Sequence, residues 1–332
     1  MTSDWLAAAI APALISWAAI AVLLRTAFSA RLADPPNERS LHAIPTPRIG
    51  GLGILGAALP FAGLHATGPL AVTLACALGL ALVSLADDLR GLPISIRLGA
   101  HTGAALVAVT SIGGWAAADA WGWLACAATI VAIVWATNLF NFMDGADGLA
   151  AGMAVAGFAA YALAAFAAAE VALALVALAL ASASAGFGIH NFPPARAFLG
   201  DAGSIPLGFL AAALGWYGIA SGAWPIAFPL LVFSPFVVDA TATLLRRMAR
   251  REAFWRAHRS HCYQRLALSG WTRRRLTLAA WALMAASASS ALVLLAAGAM
   301  LQCGIIFLWV VAYALMLLAI DRSTRKMANP AQ

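Results

Sequence analysis

The chain has 332 residues, 63% of them apolar and only 10% charged, with a mean hydropathy of +0.89. Soluble globular domains carry roughly a quarter of charged residues, so this composition excludes an ordinary soluble fold and points to a membrane protein. The net charge is +7, and of the 20 basic side chains only Lys326 is not Arg, so the placement of the charges says more than their sum and no nucleic-acid partner is expected.

A crossing takes about 20 apolar residues to span about 30 Å of hydrocarbon, and cutting the chain at charges and Gly/Pro clusters gives about eleven such segments. Residues 5–24 form the first; Asp4 precedes it and Arg25 and Arg31 follow, the reverse of a signal peptide, so the N-terminus is expected outside. Residues 51–66, 70–85, 98–112 and 121–137 come next, with Thr67-Gly68-Pro69 turning the chain between the first two of these. Residues 150–189 hold one charge, Glu170, and are about twice too long for one crossing at about 1.5 Å per helical residue, which predicts a hairpin of two spans. Residues 205–219, 224–245, 276–297 and 305–320 complete an all-α polytopic membrane protein, read as a single domain over residues 1–332.

Each span flips the side of everything after it, and basic residues favour cytoplasmic loops. With the N-terminus outside, the inner loops are 25–50, 86–97, 138–149, 190–204 and 246–275, and all 20 basic residues fall on four of these, 138–149 holding none, or on a cytoplasmic C-terminal tail, while the outer loops carry only Asp4, Asp119 and Glu170. Trp115, Trp121, Trp123, Trp216 and Trp224 are expected near the outer interface as an aromatic belt. Cys76, Cys126, Cys262 and Cys303 lie too far apart for a metal-binding spacing and read as ordinary thiols.

The same parity puts the polar motifs on the inner face. Adjacent carboxylates at Asp87-Asp88 repel, and both stay ionised near a low-dielectric boundary only if a cation or an Arg compensates; a solvated loop with Arg90 as partner would also serve. Asn138, Asn141, Asp144 and Asp147 recur at every third position and would form a drifting stripe on a helix, with Gly145 and Gly148 letting the backbone turn or approach a ligand. Oxygen ligands of this kind suit a hard cation such as magnesium, or hydrogen bonds to a base or sugar. In Phe198-Leu199-Gly200-Asp201-Ala202-Gly203-Ser204, amides at a helix start can meet phosphate while the carboxylate takes a metal, although an N-cap would look the same. The stretch from Arg256 to Arg265 holds His258, Arg259 and His261: Arg binds phosphate oxygens bidentately and His can donate or transfer a proton, while lipid headgroups would account for the arginines alone. The Pro-rich loop with Arg39, His42 and Arg48 ahead of Gly50-Gly51 could wrap an anionic headgroup or simply connect two helices. His65 and His101 read as structural.

These residues resemble the polyprenyl-phosphate N-acetylhexosamine-1-phosphate transferase family, a group of glycosyltransferase family 4-like membrane enzymes. The adjacent aspartates with Gly91, the run from Asn138 through Asp144 and Asp147 to Leu149, and Phe198-x-Gly200-Asp201-x-Gly203-Ser204 match its cytoplasmic motifs in order. His258-Arg259-Ser260-His261-x-Tyr263-Gln264-Arg265 is similar to the branch that starts O-antigen synthesis. The sequence departs from the family at Ser40, where Lys often follows the Arg, and in the wider spacing of His258 and His261. The resemblance implies transfer of a sugar 1-phosphate, from an N-acetylated hexosamine or 6-deoxyhexosamine linked to UDP, to undecaprenyl phosphate, with release of UMP. It implies a bacterial inner-membrane enzyme with a cytoplasmic site. Magnesium is the expected cofactor, with manganese able to replace it; UDP-sugar, undecaprenyl phosphate and membrane lipid are the expected partners, and a homodimer is compatible with them.

On this resemblance Asp201 is assigned as the metal ligand with Asp88 or Asp144 beside it, and Asp87 orients or deprotonates the lipid phosphate. Asn138, Asn141 and Asp147 are placed on the nucleotide side, Arg39 and His42 on the anionic substrate, and His258, His261 and Arg259 on the diphosphate or sugar. A transporter or flippase for a lipid-linked anion is the rival from another class. It needs an ionisable or broken-helix path through the bilayer, and only Asp239 offers a start.

Overall fold

A computed structural model describes residues 2–35, 44–113, 120–253 and 258–328. The chain is all-α, with helices α1 (Thr2–Leu23), α2 (Ala27–Arg31), α3 (Gly50–Gly63), α4 (Gly68–Arg90), α5 (Ile94–Ile112), α6 (Ala120–Phe142), α7 (Leu149–Ala167), α8 (Val171–Asn191), α9 (Asp201–Ala220), α10 (Ala227–Val232), α11 (Ser234–Ala249), α12 (Cys262–Leu268), α13 (Arg273–Ala296) and α14 (Ala299–Ala328). A two-residue antiparallel ribbon pairs β1 (Ala33–Asp34) with β2 (Thr46–Pro47) in the loop after α1 and α2.

Each predicted span overlaps a helix, although 51–66 and 224–245 run a few residues beyond theirs. Among the described residues eight helices are long and apolar enough to cross a membrane on their own: α1, α4, α6, α7, α8, α9, α13 and α14. Of the remaining predicted spans, α3 is a shorter apolar helix and α5 carries Arg97 and His101. The predicted span over 224–245 is divided at Phe233 into α10 and α11, because Pro235 has no N–H to continue the helical ladder. The predicted hairpin within 150–189 is present, closed by Ala168 to Glu170, with Glu170 preceding α8. Large apolar side chains such as Leu6, Ile10, Leu14, Val131, Phe307 and Leu308 are exposed on the outer faces, as a chain solvated by lipid requires. The protein is a multi-pass membrane protein.

Helix pairs approach through small residues, which is how apolar helices associate when lipid already solvates their side chains. Helix α8 packs on α1, α3 and α7, and α9 packs on α4 and α6. The Ser182 hydroxyl donates to Ala9 O at 2.8 Å and accepts from Ala13 N–H at 3.1 Å, tying α8 to α1. Tyr161, buried on α7, donates to Ala211 O of α9 at 2.8 Å. Trp224 is not an interfacial tryptophan: it is buried beside Tyr161, ring centroids 5.0 Å apart, and donates to Gly215 O. Trp121 and Trp123 are exposed, Trp216 donates to Gly113 O, and Trp115 lies outside the described residues.

The helix ends sort into two sets. Trp5 meets Phe166, and Trp216 meets Gly113, at one end. At the other, the starts of α3 and α9, the ends of α4 and α6 and the helix α12 are joined by the hydrogen bonds described below. There residue 48 bridges Phe198, Phe198 N–H donates to Pro47 O, and Gly50 and Gly51 donate to Phe198 O and Leu199 O, each at 2.8 Å. The first turns of α3 and α9 then touch glycine to glycine: a Cβ on Gly51 would lie 2.3 Å from Gly203 Cα.

Since the obstacle at Gly51 is backbone, it cannot rotate away. Gly51→Ala is expected to destabilise the protein by about 1–3 kcal/mol, the usual cost of overpacking, whereas Gly56→Ala on the same helix has nothing within 4 Å of its new methyl and is expected to melt like the parent. Thermal unfolding of the two variants in detergent checks this.

Candidate active site

Gly200 starts the site. Its φ of +74° is a conformation side chains rarely adopt, and a Cβ there would come within 2.9 Å of Arg48 Cβ and 3.1 Å of Arg48 O. Glycine at this point lets the chain turn under Arg48 and open α9 with Asp201. The Asn141 side chain, on the penultimate residue of α6, donates both amide hydrogens, to Asp201 Oδ1 at 2.8 Å and to Ser204 Oγ at 2.9 Å. Asp88, in the last turn of α4, accepts from Ala202 N–H at 3.2 Å, and its other oxygen lies 3.5 Å from Arg48 Nη1. The Asp88 side chain is 3% exposed, whereas that of Arg48 is 38% exposed and pairs with Asp34 at 2.6 Å.

Asp144 completes this group from the short segment after α6. Burial first, and then the negative charges of Asp201 and Asp88, push its carboxyl well above the usual carboxylate range; Arg48 and the Gly200 amide oppose them. Asp88 and Asp144 therefore share the field of one guanidinium, with Asp34 behind it, while Asp201 stands close enough to repel both. Negative charge is left in excess.

The histidine turn abuts the same segment. Tyr263 donates to Phe142 O at 3.2 Å and lies so close to Gly145 that any side chain there would strike its hydroxyl. Asp239, buried on α11, accepts from Cys262 N–H at 2.8 Å, Tyr263 N–H at 3.2 Å and Thr243 Oγ1 at 3.2 Å, and sits 3.3 Å from His261 Nδ1. His258 is half-buried, 4.9 Å from His261 between ring centroids, and burial, His261 and Arg247 lower its pKa to about 4. Arg259 follows it, half-buried.

Other candidate residues are engaged elsewhere. Asp87 accepts from Leu92 N–H at 2.6 Å and pairs with Arg97 at 2.9 Å, fastening the α4–α5 turn. Asn138 donates to Val134 O at 2.7 Å and lies 3.3 Å from His101 Nδ1. Asp147 accepts from Ala195 N–H at 3.2 Å and faces Arg273 at 3.5 Å, while Gly148 N–H donates to Asn191 Oδ1. Arg39 and His42 lie outside the described residues. Ser204, at the end of the Gly-Asp-x-Gly-Ser run, joins the site without a role assigned from sequence; Arg48, expected only as part of a loop that could wrap an anionic headgroup, and Asp239, expected only as a start for an ion path, join it in other roles.

Among the described residues no group of three or more His, Cys, Asp or Glu forms a ready metal cage. The donors that do gather, Asp201 with Asp88, Asp144, Asn141 and Ser204 nearby, are hard oxygens. Magnesium is commonly bound by one or two carboxylates and completed by water and substrate phosphate, so the excess negative charge and the donor type fit that cation.

The family described as Glycosyl transferase family 4 matches residues 70–219, a stretch that includes Asp88, Asn141, Asp144 and Asp201. A probable undecaprenyl-phosphate N-acetylglucosaminyl 1-phosphate transferase of Bacillus subtilis is 27% identical over 87% of this chain and 85% of its own length. A decaprenyl-phosphate N-acetylglucosaminephosphotransferase of Mycobacterium tuberculosis is 28% identical over 73% of this chain and 70% of its own. A phospho-N-acetylmuramoyl-pentapeptide-transferase of Moorella thermoacetica is 30% identical over 75% of this chain and 84% of its own. Similarity of this extent, running through the carboxylate site, shows that the chain belongs to the polyprenyl-phosphate N-acetylhexosamine-1-phosphate transferase family.

Proposed function

We propose that the protein transfers an N-acetylated hexosamine or 6-deoxyhexosamine 1-phosphate from a UDP-sugar to undecaprenyl phosphate, releasing UMP. We place this reaction on the cytoplasmic face of a bacterial inner membrane, as the first step of O-antigen or related cell-surface glycan synthesis. The observation that carries the reading is the gathering of three carboxylates at one end of an apolar bundle: Asp88 and Asp144, both influenced by Arg48, beside Asp201, which repels them both. The relatives named above, two of them transferring N-acetylglucosamine 1-phosphate to a polyprenyl phosphate, support it.

The acceptor needs little activation. A phosphate monoester has its second pKa near 6 and is largely dianionic at neutral pH, so a strong general base is not required. Its oxygen attacks the sugar-bearing phosphorus of the donor; the new P–O bond forms as the bond to the bridging oxygen breaks, and the electron pair leaves on UMP. The obstacle is bringing two anions together and supporting the charge that departs.

Magnesium, with manganese able to replace it, is the cation we assign to Asp201 with Asp88 or Asp144; when bound it would neutralise phosphate oxygens. Asn141 keeps the Asp201 carboxylate oriented from α6, and Arg48 balances the carboxylates while over a third of its side chain stays open to a phosphate. Asp87 acts through the turn that carries Asp88, and Asp147 through the segment that carries Asp144. Asn138 braces the base of that stripe, Arg39, His42 and Arg259 supply cationic or hydrogen-bonding contacts to the phosphates, and the turn of His258 and His261 stands on the same side, His258 being the more open ring.

Purified protein supplied with undecaprenyl phosphate, magnesium and UDP-N-acetylhexosamines is expected to release UMP. Asp201→Asn should lower the rate by roughly 10²-fold or more, as loss of a charge-stabilising group in a transfer site does; wild-type turnover in that variant would sink the assignment. A second expectation concerns pH. Because the fold raises the Asp144 pKa, its contribution to stability is complete below about pH 4, near the ordinary carboxylate value, and is lost as pH rises through the raised value. With EDTA present, the wild-type melting temperature should therefore fall between pH 4 and 8. Asp144→Asn should flatten that fall and melt higher at pH 8 while releasing UMP more slowly; an unchanged profile would remove Asp144 from the charge balance.

A further inference from the structure

The hydrogen-bond partners of the two histidines of the 258–261 turn call for opposite tautomers of the neutral rings. Ser260 donates its amide to His258 Nδ1 at 3.4 Å, and its hydroxyl lies 2.9 Å from the same nitrogen. An acceptor nitrogen carries no proton in the neutral ring, so the His258 proton is on Nε2. His261 Nδ1 lies 3.3 Å from Asp239 Oδ1, and a carboxylate only accepts, so there the proton is on Nδ1.

Burial separates their tasks. Asp239 and His261 are each 5% exposed, and the Asp239 oxygens already receive Cys262 N–H, Tyr263 N–H and Thr243 Oγ1. That network ties α11 to the start of α12 and leaves His261 no freedom to turn towards a ligand. Tyr263 closes its other side with rings stacked at 5.7 Å, and Phe142 lies at 6.5 Å. His258 rests against this wall, 4.9 Å away and tilted by 35°, and is the more open of the two rings. With its pKa at about 4 it is neutral through the ordinary working range and still presents an N–H.

We propose that Asp239 is a positioning residue of the transfer site: through His261 it holds His258, the histidine that meets substrate, as a neutral Nε2–H donor to a phosphate oxygen. This rests on the transferase reading above and divides the labour between two histidines that the sequence presents as equals. A neutral donor suits a site already holding Arg48, because it stabilises charge developing on the departing phosphate without binding the ground-state anion as tightly as a cation would.

Two measurements on the full chain in lipid nanodiscs test it. Imidazole 15N spectra, with His258→Gln and His261→Gln for assignment, should show His258 protonated at Nε2 and His261 at Nδ1 near neutral pH; either tautomer reversed overturns the proposal whether or not the protein is active. In UMP-release kinetics, Asp239→Asn should lower kcat about tenfold or more, as loss of a group that orients a functional residue does, with a smaller effect on KM. The same substitution placed in His258→Gln should cost less than about threefold, since its effect runs through a histidine already removed. An equal cost in both backgrounds would make Asp239 merely structural and overturn the proposal. Correct tautomers in a wild-type protein that releases no UMP would instead strike the transferase reading and leave the Asp239–His261–His258 arrangement standing.

Discussion

The site depends on a short backbone seam between residues 47–51 and 198–203. A helix start presents amides with no partner inside the helix, and in an apolar surrounding each unpaired amide is expensive. Gly50 and Gly51 give theirs to Phe198 O and Leu199 O, which lie just before α9. The starts of two helices distant in sequence thereby satisfy one another, and Gly203 against Gly51 lets them approach until backbone touches backbone. Arg48 is carried over Gly200 by this seam, and Asp201 is carried to the place where Asn141 and the end of α4 reach it. Side-chain chemistry is built on a backbone contact that tolerates no Cβ.

What gathers on that seam is destabilising by itself. Carboxylates of Asp88 and Asp144 are drawn from water into a region where Asp201 repels them, and one guanidinium shared with Asp34 offsets only part of the cost. A fold that sought stability alone would place an amide or an apolar group at Asp144. On the proposed function the retained carboxylates are intelligible as preparation for a cation and phosphates, the usual trade of stability for function at a preorganised site.

Much of the bundle was legible because lipid imposes a length on every apolar run, and even the 150–189 hairpin follows from that length. The helix ends were less so. Asp87 and Asp88 are equivalent in sequence, yet α4 continues to Arg90, so adjacent side chains leave a helix about 100° apart: one closes the turn to α5 while the other meets α9. The stripe at every third residue from Asn138 to Asp147 assumes one helix throughout, but α6 stops at Phe142, which detaches Asp144 and Asp147 from the periodicity and sends them to different neighbours. Trp224 looked interfacial by position and proved to be core, because its ring finds Tyr161 and its N–H a carbonyl inside the bundle. Periodicity sees one element at a time; contacts between elements decide which of two similar residues is used.

Asp239 shows the same limit with a sharper consequence. As a lone carboxylate in an apolar run it suggests an ion path, since an ionisable group in a span is commonly functional. A relay residue must be able to change partners. Asp239 instead receives two backbone amides at the start of α12, a threonine hydroxyl and a histidine ring, so its charge is spent on joining two helices. The carboxylate that gave a transport path its one foothold is committed to holding the histidine turn beside Asp144, and so belongs to the architecture of a transfer site.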